Sequence, residues 1–373
     1  MNATPQSQNL SIRYDVTLLF CVLFLVGIGI VMVYSASSAL ALKKFGSDTY
    51  FLKRQALFAL TGLLALVLCG HIPLSIYRSL TYPLLGVAFI LLLLVPFSQL
   101  GIAAGGAKRW ISLMGFSFQP SEVARQAMIL YLAYSMSKKQ DQIKEFSIGF
   151  LPHAIVLAIM ALLILLQPDF GSALLLGAIT WILLFVGGVR WRYLLTAVLL
   201  ILPLAYYVLI NAEYRIRRIT SFLDPWQYPT EDGYQIVHSL MAFGSGGIWG
   251  AGIGQGYQKL FYLPEPHTDF IFSVIGEELG LVGILIILCL YTIILWRGIR
   301  IARNADNSYA SFMALGITAA ILLQVCVNMG VTLGLLPTKG LTLPFLSYGG
   351  TSLLVNMASI GILMHIGGRH VAK

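Results

Sequence analysis

Apolar residues run through this chain in long blocks, without the short periodicity of a half-buried strand or an amphipathic helix. Blocks long enough to approach a bilayer crossing occur near 15–36, 55–70, 80–97, 121–136, 148–166, 171–188, 193–210, 270–296, 309–334 and 347–367. A straight crossing takes roughly 20 apolar residues. Inside lipid the backbone must satisfy its own hydrogen bonds, which makes helices the expected form. The pattern predicts an all-α polytopic membrane protein of about ten transmembrane helices, one membrane domain over residues 1–373. The 148–188 stretch breaks at Gln167-Pro168-Asp169-Phe170-Gly171 and reads as two full spans or as a re-entrant pair. One long segment of mixed polarity, 211–269, separates the seventh and eighth blocks as a large extracytoplasmic loop. It is rich in Gly, Pro and aromatics, and a loop of that length is usually functional. Within it, Tyr234–Phe243 reads as a short amphipathic helix on the membrane surface.

Composition agrees with lipid as the main solvent. Hydrophobic residues are 58% of the 373 positions and charged residues only 10%, against about a quarter charged in a soluble domain. The net charge of +9 is spread over many short loops, which suits anionic lipids or an anionic lipid substrate and argues against nucleic acid. Cys21, Cys69, Cys289 and Cys326 each lie in an apolar block without a CxxC pair, and read as small buried hydrophobes. Residues 1–14 hold one basic residue, Arg13, and lack a cleavage pattern, so the first block is expected to be an uncleaved span.

An even number of spans puts Arg13, Arg78, Lys138, Lys139, Lys144, Arg190, Arg192, Arg297, Arg300 and Arg303 on one side with Arg369 and Lys373. That side is expected to be the cytoplasm, with both termini in it. Basic residues also stand on the other side, at Lys108-Arg109, Arg215, Arg217, Arg218, Lys259 and Lys339. They fit either lipid headgroups or an anionic ligand held there.

Ionisable residues inside spans are costly and tend to mark sites. Glu122 and Arg125, three apart at the start of the fourth span, share a helix face. Glu122 alone also fits a helix start after Pro120. Arg125 needs an anionic partner, and Asp169 is a candidate. Glu277 and Glu278 lie about two turns into the eighth span. Asp269 ends the large loop in His267-Thr268-Asp269-Phe270-Ile271-Phe272, where it reads as a plain N-cap or as a general base at the membrane surface. His267 and Asp269 would make only two metal ligands, a weak signal. His-Glu-x-x-His, Gly-x-Ser-x-Gly and Walker patterns are absent, and Gly252-x-Gly254-x-Gly256 follows no strand of a βαβ unit.

These segments resemble one family, the SEDS proteins (shape, elongation, division and sporulation). The resemblance is carried by Val33-Tyr34-Ser35-Ala36-Ser37, Gly106-Ala107-Lys108-Arg109-Trp110, Gln119-Pro120-Ser121-Glu122, Gln167-Pro168-Asp169-Phe170-Gly171 and Phe222-Leu223-Asp224-Pro225-Trp226. It continues through Tyr262–Phe272, Gly276-Glu277-Glu278-Leu279-Gly280 and Leu336–Gly350, in family order over nearly the whole chain. Pro337-Thr338-Lys339-Gly340-Leu341-Thr342 is most similar to the division member, with the elongation and sporulation members as near relatives. Arg125 stands where the family often has Lys, and Ser172 where it usually has Thr.

The resemblance implies a peptidoglycan glycosyltransferase that polymerises lipid II at the outer face of the bacterial cytoplasmic membrane, releasing undecaprenyl pyrophosphate. It implies a class B penicillin-binding transpeptidase as partner, beside other division proteins. It favours Asp269 as the catalytic base. Lys108, Arg109, Arg125, Arg215, Arg218 and Lys339, with Asp169, are the expected substrate-binding residues, and Trp110 is expected either to pack on a sugar or to anchor the interface. No cofactor is required; a divalent cation such as Mg or Mn is the one addition considered. A lipid II flippase is the alternative, favoured by the intramembrane charges.

Overall fold

The computed structural model describes residues 15–368 apart from 105–106, 114–115, 211–216, 218–219, 231–232 and 261. Helices α1 (Val16–Phe45), α2 (Tyr50–His71), α3 (Leu74–Ser79) and α4 (Thr81–Phe97) lead to a small antiparallel sheet. Its strands are β1 (Gly101–Ala104), β2 (Ala107–Leu113) and β3 (Phe116–Phe118), in the order β1-β2-β3. Then follow α5 (Pro120–Lys138), α6 (Leu151–Leu165), α7 (Phe170–Val186), α8 (Trp191–Ile210), α9 (Tyr234–Gly246), α10 (Ile271–Arg303), α11 (Ser308–Thr332) and α12 (Gly350–Gly368).

Each apolar block contains a helix, and α3 and α9 lie outside the blocks. Among the described residues six segments are long and apolar enough to cross a membrane: α1, α2, α10, α11, α12 and α6 with the π turn before it. α4, α7 and the first part of α8 are shorter apolar helices. The remaining block is α5. It carries Glu122 and Arg125, yet most of its side chains are buried, because α4, α7, α11 and α12 pack around it. A helix surrounded by protein can hold charges that a lipid-facing helix cannot. The chain is an all-α integral membrane protein with one departure from expectation: the β1–β3 sheet, which its short strands hid among loop residues. The break at 166–169 separates two distinct helices, α6 and α7, that pack on each other.

The long α10 is interrupted. Gly280 has φ 64° and ψ −164°, a left-handed conformation that glycine adopts without side-chain cost. The break frees backbone groups, and the glycine series of the large loop satisfies them. Ala251 and Gly252 N–H donate to the carbonyls of Glu277 and Glu278 (2.9 and 3.0 Å), while Leu281 and Val282 N–H donate to those of Gly247 and Ile248 (3.0 and 3.2 Å). The loop approaches so closely that a Cβ on Gly250 would stand 2.2 Å from the Glu278 carbonyl oxygen.

The two acids of α10 complete this clamp. Glu277 accepts from the N–H groups of Tyr257 (2.7 Å) and Gln258 (3.2 Å). Glu278 is buried against Lys259 Nζ (2.6 Å), Ser35 Oγ (2.7 Å) and the Gly254 N–H (3.0 Å). Lys259 therefore serves an internal ion pair with Glu278. α9, the expected short amphipathic helix, packs on α10 through Ser239–Ser273 (2.6 Å) and Phe243–Phe272. Small residues of the first and ninth spans serve internal packing too, Gly29 against Phe345–Leu346 and Gly316 against Ile129. Of the cysteines, Cys21 is buried, but Cys289 and Cys326 are exposed.

Removing one partner of a buried ion pair strands the other charge, at a cost of about 3–5 kcal/mol. Lys259→Met is expected to lower the thermal unfolding midpoint in detergent, and Lys259→Met with Glu278→Gln to recover much of that loss. Equal destabilisation in the single and double variants would contradict the clamp.

Candidate functional site

A cavity of about 880 Å³ opens where α2, the sheet, the end of the large loop and the 336–349 segment meet. Asp269, Arg109, Trp110 and Lys339 all line it. Three segments distant in sequence thus deliver an acid, two cations and an aromatic to one space.

Asp269 does not cap α10. The residue before that helix is Phe270, and no side chain caps it. The Asp269 carbonyl accepts from Asn328 Nδ2 (2.8 Å), which also donates to the Leu341 carbonyl (2.6 Å). One amide of α11 therefore ties the acid's backbone to the segment that carries Lys339 and Gly340. Ser347 Oγ adds a second tie, donating to the Thr268 carbonyl (2.6 Å). With the backbone pinned twice, the side chain is left for the cavity.

Gly340 borders both the acid and a cation. A Cβ there would lie 3.1 Å from Asp269 Oδ2 and 3.8 Å from Arg109 Nη1. Arg109 is held by β2 and donates through Nη2 to the Pro168 carbonyl (2.7 Å) at the α6–α7 break. Lys339 Nζ stands 5.4 Å from the centre of the Phe170 ring. Burial and the negative charges of Glu265 and Asp169 raise the Asp269 pKa to about 7, with Arg109 pulling the other way. His267 is buried between Phe51 and Tyr348, and desolvation lowers its pKa to about 4, so it is a neutral aromatic support at physiological pH.

Other expectations need correction. Lys108 donates to the Ser98 carbonyl (2.8 Å), away from the cavity. Arg125 pairs with Glu122 (2.6 Å), Gln324 (2.5 Å) and Asn356 (3.1 Å), and its partner is not Asp169. Glu122 does line the cavity, so Arg125 acts beneath it by fixing that acid. Asp169 is the N-cap of α7: it accepts from Ser172 N–H (3.1 Å) and Oγ (2.7 Å), and from Gln119 Nε2 (3.3 Å). Ser172 supplies the hydroxyl that a Thr would supply. Arg215 and Arg218 lie outside the described residues. Arg54, Gly340 and Tyr348, which sequence reasoning passed over, belong to the cavity wall. Arg54 carried the one available signal, a cation at the end of an apolar block.

Among the described residues no group of three His, Cys, Asp or Glu side chains is placed to hold a metal ion.

Residues 16–371 match the cell cycle protein family that comprises FtsW, RodA and SpoVE. The chain is 48% identical to a probable peptidoglycan glycosyltransferase FtsW of Geobacter metallireducens, covering 96% of this chain and 95% of the relative. It is 43% identical to stage V sporulation protein E of Bacillus subtilis, covering 94% and 96%. Among solved structures it resembles a chain of a peptidoglycan synthase complex that coordinates polymerization and crosslinking, with a TM-score of 0.79, 32% identity and coverage of 96% and 98%. The Thermus thermophilus rod shape determining protein RodA gives a TM-score of 0.71 at 29% identity, covering 95% and 96%.

The raised pKa has a direct readout. The protonated carboxyl band lost from the infrared difference spectrum in Asp269→Asn is expected to titrate near pH 7. Titration near pH 4 would show an acid open to water and unperturbed.

Proposed function

The chain belongs to the FtsW, RodA and SpoVE family of cell cycle proteins, and on that premise we propose that its cavity joins lipid-linked glycan units with Asp269 as the base. It is a peptidoglycan glycosyltransferase of the division type. It polymerises lipid II at the outer face of the cytoplasmic membrane, with ten crossings and both termini inside, and it works beside a class B penicillin-binding transpeptidase that cross-links the product.

The supporting observation is the pairing of one partly buried carboxylate with Arg109 and Lys339 in a cavity at the end of a span. The reaction forms a bond between the acceptor's 4-hydroxyl oxygen and the donor's anomeric carbon. It breaks the bond from that carbon to the diphosphate oxygen. Asp269 takes the hydroxyl proton, and the diphosphate leaves with the bonding pair as an anion on its lipid. A carboxylate with pKa near 7 is a stronger base than an ordinary aspartate yet is still substantially ionised at working pH. Guanidinium and ammonium groups stabilise the charge that develops on the leaving group. A divalent ion, if bound, would supply further positive charge toward the diphosphate, and Asp269 is the acid beside the cations that would help to hold it. Trp110 offers a flat apolar face to a sugar ring.

Asp269→Asn is expected to abolish glycan synthesis from lipid II by the purified protein with its transpeptidase. It should not lower thermal stability, because the fold no longer has to bury an ionisable acid. The folded-state pKa is raised from 3.8 to about 7. This group's contribution to stability is therefore full below pH 4 and is lost as pH rises toward 7. The same group should make wild-type kcat/KM rise as pH passes through about 7. Removing a like charge with Glu265→Gln should move that limb to lower pH, and removing the attractive cation with Arg109→Gln should move it higher. Full activity in Asp269→Asn rejects the base.

Gly340→Ala is a test that leaves every charge in place. Its methyl enters the space between Asp269 and Arg109, so the rate of polymerisation should fall at least tenfold, about 1.4 kcal/mol in the barrier, with the unfolding midpoint unchanged. A rate equal to wild type would show that the two groups do not act on one substrate.

A further inference from the structure

The cavity has a second basic end. Arg54 lines it from α2, where its guanidinium lies 4.7 Å from the centre of the Tyr50 ring. Arg109 instead borders Gly340 together with Asp269, and its charge acts on that acid. The two cations therefore serve different parts of one space.

Below Arg54, α2 leaves the cavity along an apolar face. Leu57 still lines the cavity and is 46% exposed; Leu60, Leu64 and Leu68 continue at 66%, 59% and 56%. Their spacing of three to four residues puts them on one side of the helix, uncovered by protein. The wall of the cavity and a lipid-facing stripe are thus one continuous surface with a guanidinium at its head.

The chemistry of polymerisation needs two diphosphates at unequal distances from the base. On the donor, the diphosphate is attached to the reacting anomeric carbon, so it must sit close to Asp269. On the acceptor, the reacting hydroxyl belongs to the outer sugar, and the diphosphate lies a disaccharide away. Arg109, beside Asp269, meets the first requirement. We propose that Arg54 holds the diphosphate of the acceptor lipid, whose polyprenyl chain runs down the exposed leucines of α2. This rests on the polymerase reading and adds to it a division of labour: Arg109 and Lys339 bind the leaving group, and Arg54 binds the chain that accepts it. A guanidinium suits the task because its fork matches two phosphate oxygens at once.

The test uses the catalytically silent Asp269→Asn protein in phosphatidylcholine nanodiscs, titrated with undecaprenyl diphosphate. Two equivalents should bind. Adding Arg54→Gln should weaken one of them roughly ten- to hundredfold, adding Arg109→Gln should weaken the other, and Arg54→Lys should restore most of the first. A second arm uses turnover with a lipid-linked glycan oligomer as donor. With lipid II as acceptor, Arg54→Gln should raise the acceptor KM while leaving kcat at saturation near wild type. With a disaccharide-peptide acceptor lacking the diphosphate, the variant and wild type should be equal. Two equivalents that both ignore Arg54→Gln, or equal losses with both acceptors, would overturn the assignment. If Arg54 controls one equivalent but wild-type protein makes no glycan, the site stands and the polymerase reading falls.

Discussion

Everything in this molecule is arranged so that an acid and a guanidinium face each other across a glycine without closing into an ion pair. Gly340 leaves the gap, and a side chain there would fill it. An Asp–Arg contact would have lowered the acid's pKa and neutralised the cation. Held apart, Asp269 is raised toward neutrality by burial and by nearby carboxylates, and Arg109 keeps donors for a ligand. That is the condition for a base and an anion site to work on adjacent atoms of one substrate.

The scaffold maintains the gap by spending its other polar groups on internal ties. Asn328 and Ser347 fix the backbone around Asp269. The α6–α7 break lends its Pro168 carbonyl to Arg109, and Asp169 caps the helix that follows. Glu277, Glu278 and Lys259 bind the glycine-rich loop into the break in α10 and so set the path of the chain toward Asp269. Arg125 neutralises Glu122 on the cavity's inner wall. Charges that would be prohibitive in lipid are each met by a partner within the protein, as low-dielectric surroundings demand.

The membrane setting also explains how such a cavity is used. The cavity lies where helices end and loops begin, a place where the proposed lipid-linked headgroup would reach the acid with its chain still in the bilayer. A water-soluble cleft would have to extract the lipid. Here α2 presents charge at one end and bare leucines below, which matches the order of polar and apolar parts in such a substrate.

The linear pattern by itself determined the apolar blocks, and hence the helices, because lipid solvation acts on local composition. It also marked the acid at 269 and the cations at 109 and 339, since charge at a span's end is conspicuous in so apolar a chain. It could not separate the partners of Arg125: Glu122, Gln324 and Asn356 come from three helices, and only packing decides which oxygen a buried guanidinium meets. Nor could it tell that Lys108 turns to Ser98 while Arg109, its neighbour, turns to the cavity, because that choice belongs to the β1–β3 sheet. Gly340 and Arg54 gained their roles only in three dimensions. A glycine acquires meaning from what would collide with its missing side chain, and a terminal cation from the cavity that happens to open beside it.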